Sequence, residues 1–411
     1  MTATATATAA PVITGVGVAA PTGLGAAAHW DATVRGRTGI GPITRFDASG
    51  YPVQLAGEVP GFVPEEYIPS RLIPQTDHMT RLALFAADEA LRDSGIDLES
   101  LSPYAAGVAS AASMGGFEFG QRELQNLWSK GGQFVSAYQS FAWFYAVNTG
   151  QIAIRHGLRG PSSAVVSDQA GGLDAIGHAR RQLRKGTRMM LAGGVDGALC
   201  PLGLVGQLSS GRLSTVGKPA DAYRPFDEKA SGHVPGEGGA YVVLENAAAA
   251  EARGAHVYGR LTGYAATFDP DPGAPDADGL ERAARQALSD AGLAPSDVAV
   301  VLADAAGVPD ADRAEAAALT AVFGPGKVPV AVPKAQTGRL YAGGAALDVV
   351  SALLCLRDGS IPPAVYEPTA PPAGALDLVT GSARPLAGDH ALVLARGEGG
   401  FNAAAVVSRA V

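Results

Sequence analysis

Short apolar runs alternate with amphipathic stretches along the whole chain, and this order constrains the fold more than any other feature. RMMLAGGVD and AYVVLEN are typical of buried strands, whereas Met79 to Ser94 and Gly279 to Gly292 have helical spacing. Strands that alternate with helices form domains in which helices cover the faces of a buried sheet. The sequence therefore predicts an α/β fold.

The same order begins again near Val257, in VYGRLTGYAA. It continues as a helix from Gly279, the strand VAVVLAD, a helix from Asp312, the strand VPVAV, a helix from Ala342 and the strand HALVLAR. We therefore predict a disordered tail (residues 1–10), an N-terminal half (11–255) and a similar C-terminal half (256–411).

Composition excludes several classes of function. A net charge of −8 gives no general attraction to phosphate backbones, so nucleic acid is not an expected partner. Two cysteines, Cys200 and Cys355, provide neither a disulfide framework nor metal-ligand spacing, which fits a reducing, cytoplasmic compartment. The start MTATATATAAPVITG lacks the features of a signal peptide, and no apolar run reaches the roughly 18 residues that span a bilayer. We expect no metal and no membrane association.

The stretch AVVSDQAGGLDAIGHARRQL (164–183) predicts a strand, a tight turn and a helix. Leu173, Ile176 and Leu183 have helical spacing, whereas the turn falls at 168–172. In many enzymes the residue at such a turn is a nucleophile favoured by the positive end of the helix dipole. This chain has Gln169 there instead.

Other motifs favour structural interpretations. GVGVAA (15–20) matches a dinucleotide-binding pattern, but no strand ending in an acidic residue follows about 20 positions later. Neither cysteine lies at a strand-to-helix turn. His156, His178 and His233 have no patterned carboxylate or serine partner, and we interpret them as satisfied polar histidines.

Five motifs together resemble the β-ketoacyl synthases, the condensing-enzyme branch of the thiolase fold. They are PVITGVGVAAPTGLG, RPFDEKASGHVPGEGGAYVVLE, the turn at 168–172, PKAQTGRLYAGGAALD and GEGGFN. The resemblance extends from about Val12 to Ala405 in the order of the family. It implies a duplicated α-β-α-β-α fold of five layers with mixed sheets.

The resemblance also locates the catalytic positions. Active members use a cysteine at the turn, two histidines and a lysine; the cysteine position falls on Gln169 and the histidine positions on Asp304 and Arg339. Lys334 is retained, and the aromatic gate of the C-terminal glycine loop falls on Glu398. An amide cannot form an acyl-enzyme, and arginine does not exchange a proton near neutral pH. Condensation by this chain alone is not expected, so whether the chain is itself an enzyme stays open.

This pattern resembles the chain-length factors, or ketosynthase beta subunits, of type II aromatic polyketide synthases, which take part in antibiotic biosynthesis. The resemblance implies a non-condensing subunit that forms a heterodimer with an active ketosynthase alpha. It also implies an acyl carrier protein as a partner, whose phosphopantetheine arm delivers malonyl and polyketide intermediates, and no cofactor bound by this chain.

Two interpretations of Gln169 remain open. The amide either fills the vacated pocket and satisfies backbone groups at the turn, which we favour, or promotes the decarboxylation of malonyl carrier protein to supply a primer. For the chain as a whole, a further alternative is a purely structural stabiliser without influence on product length.

The segment GGFEFGQRELQNLW (115–128) is the candidate wall of the product channel. Phe117, Gly120 and Leu124 share one face of the predicted helix. In the family this helix lines a channel at the heterodimer interface, where larger side chains accompany shorter products. The small Gly120 and Leu124 therefore predict about ten ketide units. The alternative is close helix packing against Gly120.

An aromatic cluster, AYQSFAWFYAVNTG (137–150), precedes the turn. Aromatic residues are enriched at protein interfaces, although ordinary core is an equally good interpretation for at least half of them. The interface candidates are Tyr138, Phe141, Trp143, Phe144 and Tyr145.

Overall fold

The structure is a computed structural model, and it describes residues 10–271, 278–370 and 373–410. Residues 1–9 of the predicted tail lie outside the described residues. The strands are β1 (Val12–Ala20), β2 (Gly23–Leu24), β3 (Ile40–Pro42), β4 (Leu55–Gly57), β5 (Ala106–Ala111), β6 (Ser162–Val165), β7 (Met189–Asp196), β8 (Gly238–Glu245), β9 (Gly259–Phe268), β10 (Val300–Leu302), β11 (Pro329–Ala331), β12 (Ser360–Ile361), β13 (Asp377–Leu378), β14 (Arg384–Pro385), β15 (His390–Arg396) and β16 (Phe401–Arg409).

The helices are α1 (Ala26–Val34), α2 (Pro64–Tyr67), α3 (His78–Ser94), α4 (Phe117–Lys130), α5 (Gln139–Ala142), α6 (Val147–His156), α7 (Gly171–Arg184), α8 (Pro201–Leu208), α9 (Pro219–Ala222), α10 (Ala247–Ala252), α11 (Gly279–Ala291), α12 (Pro309–Phe323), α13 (Lys334–Thr337) and α14 (Ala342–Asp358). No helix of the described residues is long and apolar enough to cross a bilayer.

The main sheet repeats one topology twice. From the centre outward, one half has the order β1, β8, β7, β5, β6, and the other has β9, β16, β15, β10, β11, with β13 beyond it. In both halves the first two pairings are antiparallel and the next two are parallel. The halves meet where Val12 and Ile13 of β1 pair with Arg260 and Gly259 of β9.

The helices form three layers around the two half-sheets. α7 and α14 contact each other and lie between the half-sheets, since α14 contacts β7 and β8 on one side and β15 and β16 on the other. α3 and α6 cover the outer face of the first half, and α11 and α12 cover that of the second. The side chains of α14 are buried all round from Ala342 to Leu356, as its position between two sheets requires. The predicted five-layer α-β-α-β-α fold is confirmed.

The glycines of GVGVAA belong to strand β1 and serve helix packing. A Cβ atom at Gly15 would lie 2.2 Å from the carbonyl oxygen of Ala90, and one at Gly17 would lie 1.9 Å from that of Ala86. Because α3 packs directly on this strand, only glycine fits at these two positions. The motif therefore has a structural explanation without a nucleotide.

The predicted strand, turn and helix around Gln169 are present. β6 ends at Val165, a 3₁₀ turn follows over Asp168–Ala170, and α7 begins at Gly171. β6 pairs with β5 on one side and is the last strand of its half of the sheet. Gln169 therefore lies just beyond an edge strand, at the start of a central helix.

Candidate functional site

The turn that holds Gln169 is fixed by the loop after β15. Asp168 has φ 49°, a left-handed conformation that Asp tolerates better than most residues, and its Oδ2 accepts a hydrogen bond from Glu398 N at 3.0 Å. A Cβ at Gly397 would lie 2.3 Å from the carbonyl oxygen of Ser167, so the two segments are in direct contact. Glu398, the residue at the gate position, also forms an exposed ion pair with Arg212.

The side chain of Gln169 is completely buried, and it packs without forming hydrogen bonds. Neither Oε1 nor Nε2 has a hydrogen-bond partner among the described residues. The amide lies against Gly344 of α14, where a Cβ would be 2.4 Å from Nε2. Gln169 therefore fills the pocket as we expected, but the expectation that it satisfies backbone groups is wrong. The backbone N–H of Gly344 already donates to Tyr341 O, so it is not free for the amide.

Asp304 and Arg339, which the resemblance matched to the two histidine positions, form a buried ion pair with each other. Arg339 Nη2 lies 3.3 Å from Asp304 Oδ1, and it also donates to the carbonyl oxygen of Arg396 at 2.9 Å. Asp304 lies just beyond β10, and Arg339 follows α13. The two positions that the resemblance assigns to histidines are thus joined by a charge pair.

Two further residues complete this network. Arg396 at the end of β15 donates its backbone N–H to Asp304 Oδ1 at 2.9 Å, and its guanidinium group pairs with both Asp304 and Glu315. Glu315 of α12 accepts hydrogen bonds from the backbone N–H groups of Asp304 and Ala305 at 2.7 and 2.8 Å. We call Asp304, Glu315, Arg339 and Arg396 the buried charge network.

Electrostatics keep the central pair ionised. Burial alone raises the pKa of the Asp304 carboxyl, but the positive charges of Arg339 and Arg396 outweigh it and hold the pKa below its ordinary value. Burial alone lowers the pKa of Arg339, but the charge of Asp304 outweighs it and raises that pKa. Neither group therefore exchanges a proton near neutral pH.

Lys334, which the resemblance matched to the family's lysine, forms a second buried ion pair. Its Nζ contacts the carboxylate of Asp348 and donates to the carbonyl oxygen of Ala303 at 2.8 Å. Burial raises the pKa of Asp348 to about 6, although the charge of Lys334 opposes the shift. Lys334 is therefore held by a carboxylate and a backbone group, in the same core as Asp304.

Sequence reasoning missed three charged partners and misinterpreted one histidine. Arg396, Glu315 and Asp348 belong to regular elements; Glu315 and Asp348 are buried and Arg396 is half-buried, which a local pattern does not reveal. His233, which we interpreted as satisfied, is buried with Nε2 3.4 Å from Tyr341 Oη, but its Nδ1 has no partner among the described residues. Burial and then the charge of Arg339 lower its pKa well below 6.5, so the ring is neutral.

His156 and His178 match their structural interpretations, but the expectation that neither cysteine lies at a strand-to-helix turn is wrong for Cys200. It lies between β7 and α8, directly before α8, where its Sγ accepts a hydrogen bond from Gly203 N at 3.4 Å. His156 pairs with Asp88, and His178 with Gln182. Burial raises the pKa of the Cys200 thiol to about 11, and Cys355 is fully buried inside α14, so neither is a thiolate near neutral pH. Among the described residues, no group of three or more His, Cys, Asp or Glu is arranged to hold a metal ion.

Helix α4 contains the three channel candidates, which the sequence predicts to form an apolar face lining a channel at the heterodimer interface. Of the three, Gly120 is buried, Phe117 is half-buried, and Leu124 is 44% exposed. Within the chain the helix also buries Phe119 and the polar residue Glu123, whose carboxylate accepts a hydrogen bond from Ser136 N at 2.7 Å.

The alternative of close packing at Gly120 is not supported. A Cβ at Gly120 would lie 3.6 Å from Trp143 Cβ, which is an ordinary contact.

The aromatic cluster lies mostly at the surface. Phe141 is half-buried, whereas the other four residues are between 38% and 51% exposed. Large apolar side chains of neighbouring segments are exposed as well: Leu127, Trp128, Phe134 and, directly after β6, Val166. The interpretation of these four aromatic residues as ordinary core is therefore wrong for the single chain.

Comparison with known proteins finds family models and relatives that are all ketoacyl synthases. Residues 10–250 match the N-terminal domain model of beta-ketoacyl synthase, and residues 258–366 match the C-terminal domain model. The chain is 59% identical over 399 residues to "Actinorhodin polyketide putative beta-ketoacyl synthase 2" of Streptomyces coelicolor, covering 97% of this chain and 98% of the relative. It is 57% identical over 400 residues to "Tetracenomycin polyketide synthase ketoacyl synthase beta subunit" of Streptomyces glaucescens, covering 97% and 98%.

Solved structures agree in fold over nearly the full length. "The ishigamide ketosynthase/chain length factor" has a TM-score of 0.90 at 27% identity, covering 98% of this chain and 99% of that one. A type II PKS acyl-carrier protein in complex with its ketosynthase bound to the hexaketide (AntDE:AntF) has a matching chain with a TM-score of 0.87 at 26% identity, covering 98% and 99%.

Proposed function

The chain belongs to the beta-ketoacyl synthase family, in the group of ketosynthase beta subunits, or chain-length factors, of type II polyketide synthases, and from this premise we propose that it is a non-condensing subunit that sets the length of a poly-β-ketone. The chemistry is then performed by an active ketosynthase alpha in a heterodimer. The acyl carrier protein brings substrate on its phosphopantetheine arm, and this chain binds no metal or nucleotide cofactor of its own.

One observation supports the non-condensing role above all others. Asp304 and Arg339 neutralise each other where an active enzyme needs groups that stabilise an enolate and exchange protons. Gln169 supplies no nucleophile beside them. The chain therefore supplies neither the nucleophile nor the two proton-exchanging groups of an active ketosynthase.

The proposed heterodimer is supported by an exposed edge and exposed apolar side chains. β6 is an outer strand with Ser162 and Ala164 exposed, and the exposed Val166 follows it. A strand edge presents unpaired backbone groups that a second chain can complete. Since Gln169 is three residues beyond Val166, a partner seated at this edge would lie close to the turn.

The proposed product length depends on α4. Gly120 lies in a helix, where glycine costs about 1 kcal/mol relative to alanine, and packing within the chain would allow a Cβ there. Leu124 is exposed in the single chain and is therefore free to face a partner or a substrate. We expect a product of about ten ketide units.

Reconstitution with a ketosynthase alpha, carrier protein and malonyl donor tests this function. We expect product only when both subunits are present, and a shorter product when Gly120→Thr and Leu124→Phe fill the proposed channel. Mass spectrometry of carrier-bound and released polyketides measures the length.

The control for that experiment is Gln125→Leu, on the exposed surface of the same helix. An unchanged length in the double variant, with the heterodimer intact, would leave only a stabilising role for this subunit. Malonyl decarboxylation by this chain without its partner would instead favour the priming enzyme.

Restoring the nucleophile alone will not restore catalysis. We expect Gln169→Cys to give no condensation above the unmodified chain, because the buried charge network still occupies both histidine positions. Incubation of the purified variant with acyl and malonyl carrier proteins, without a ketosynthase alpha, measures this. Gln169→Ser is the matched control, and turnover specific to the cysteine variant would mean that the network does not block the reaction.

A further inference from the structure

Helix α4, which carries the channel candidates, cannot cap its own N-terminus. It follows Gly116, which has no side chain to accept a hydrogen bond from the first N–H groups of the helix. A Cβ at Gly116 would lie 2.1 Å from the carbonyl oxygen of Ala142, so a capping residue such as serine or aspartate does not fit there. A side-chain cap for α4 must therefore come from another part of the chain.

Asp77 supplies this cap from 42 residues before its partner in α4. Its Oδ2 accepts a hydrogen bond from Phe119 N in the first turn of α4 at 2.7 Å. Its Oδ1 accepts one from Met79 N in the first turn of α3 at 2.9 Å, because Asp77 is also the N-cap residue of α3. The side chain is buried. One carboxylate thus caps two helices and joins them at their starts.

This double cap links α4 to the main sheet. α3 packs on β1, β7 and β8, whereas α4 contacts mainly the short helices α5 and α8 and the 3₁₀ turn at 132–134. Of the fourteen residues of α4, three are buried, and one of these is a glycine. Because so little of α4 is buried, the hydrogen bonds at its start contribute much to fixing its position.

Two other contacts hold the same region. Asp196, at the end of β7, accepts a hydrogen bond from Ser113 N at 2.7 Å, in the loop that leads to α4. Arg45 pairs with Glu118 in the first turn of α4, but the side chain of Glu118 is 47% exposed, so this pair contributes less. Without the bond from Asp77, α4 would tilt about an anchored loop and would not detach.

We propose that Asp77 is a positioning residue for product length, which holds α4 in the place where Phe117, Gly120 and Leu124 bound the channel. Phe119 directly precedes Gly120, so the bond fixes the backbone beside this face. A tilt of α4 changes the space that these three residues bound, and polyketides of other lengths are then released. This inference rests on the proposed function, since it assumes that α4 lines the channel.

The test is Asp77→Asn in the complex with ketosynthase alpha. Asparagine caps its own helix as well as aspartate does, so α3 keeps its cap. Its amide nitrogen cannot accept the hydrogen bond from Phe119 N, so α4 loses its cap. We expect the ratio of the main polyketide to products of other lengths to fall about fivefold, which corresponds to about 1 kcal/mol, the usual worth of an N-cap. Mass spectrometry measures this ratio.

Two further variants separate the position of α4 from a general loss of stability. Asp77→Ser provides one oxygen for α3 and none for α4, so it should change the ratio as Asp77→Asn does. Asn246→Ala removes the N-cap of α10, where Asn246 Oδ1 accepts a hydrogen bond from Ala248 N at 3.0 Å, and should leave the ratio unchanged. A change confined to the asparagine variant, or an equal change in Asn246→Ala, overturns the inference.

Gel filtration of each complex completes the test. An unchanged ratio in Asp77→Asn overturns the inference, and so does loss of the heterodimer in that variant, because the carboxylate would then serve assembly. If the Gly120→Thr, Leu124→Phe variant shifts product length but Asp77→Asn does not, only this inference fails. If neither shifts it, the proposed length-setting function fails as well.

Discussion

Replacing Arg339 by methionine will lower the free energy of unfolding by about 3–5 kcal/mol, the loss expected when one partner of a buried ion pair is removed. Asp304 would keep Arg396 as a partner, but the carbonyl oxygen of Arg396 would lose its donor. Pulse proteolysis in urea, performed on the complex with ketosynthase alpha, follows this chain by its own gel band. We expect the midpoint to move to a clearly lower urea concentration.

A surface pair provides the control for this prediction. Arg313 pairs with Asp310 where both side chains are largely exposed, so Arg313→Met should cost at most about 1 kcal/mol. Adding Asp304→Asn to Arg339→Met should recover part of the loss, because it removes the unbalanced charge. A midpoint for Arg339→Met equal to that of Arg313→Met would show that the buried charge network contributes little to stability.

Placing a charge beside the edge strand will separate the proposed heterodimer. Val166 is 47% exposed directly after β6, and Val166→Lys would bury an unpaired ammonium group against a partner seated there. We expect the affinity for ketosynthase alpha to fall about a hundredfold or more, which corresponds to roughly 3 kcal/mol. Sedimentation velocity measures the affinity, and the polyketide yield should fall with it.

Val63→Lys is the matched control, because Val63 is 44% exposed and lies outside β6 and the aromatic cluster. This variant should bind ketosynthase alpha like the unmodified chain. Equal affinity of the two lysine variants would mean that the partner does not use the β6 edge.

The elements of this fold were predictable where a local pattern determines them. The turn at 168–170 follows from an apolar run, a break and helical spacing, all within about twenty residues. The glycines of β1 were visible as a motif, but their reason was not, because α3, which packs against them, lies about seventy residues later.

Contacts between distant segments could not be predicted in the same way. Asp304 and Arg339 were identified as changed catalytic positions, yet their pairing depends on how β10, α13 and β15 meet in space. On α4, the burial of Glu123 could not be predicted, because it depends on a hydrogen bond that Ser136 N donates to its carboxylate. In both cases a charged side chain is buried because another segment of the chain supplies its ion-pair or hydrogen-bond partner.

The buried charge network also bears on the evolutionary history of this subunit. On the residue matches that the resemblance gives, a return to condensing activity would need a histidine at 304 and another at 339, and either change made first would disturb the charge balance of a largely buried cluster. Each intermediate would therefore be less stable than the present chain and still inactive. On the proposed function, condensing activity is therefore hard to regain by single substitutions, which fits a subunit that works with an active partner.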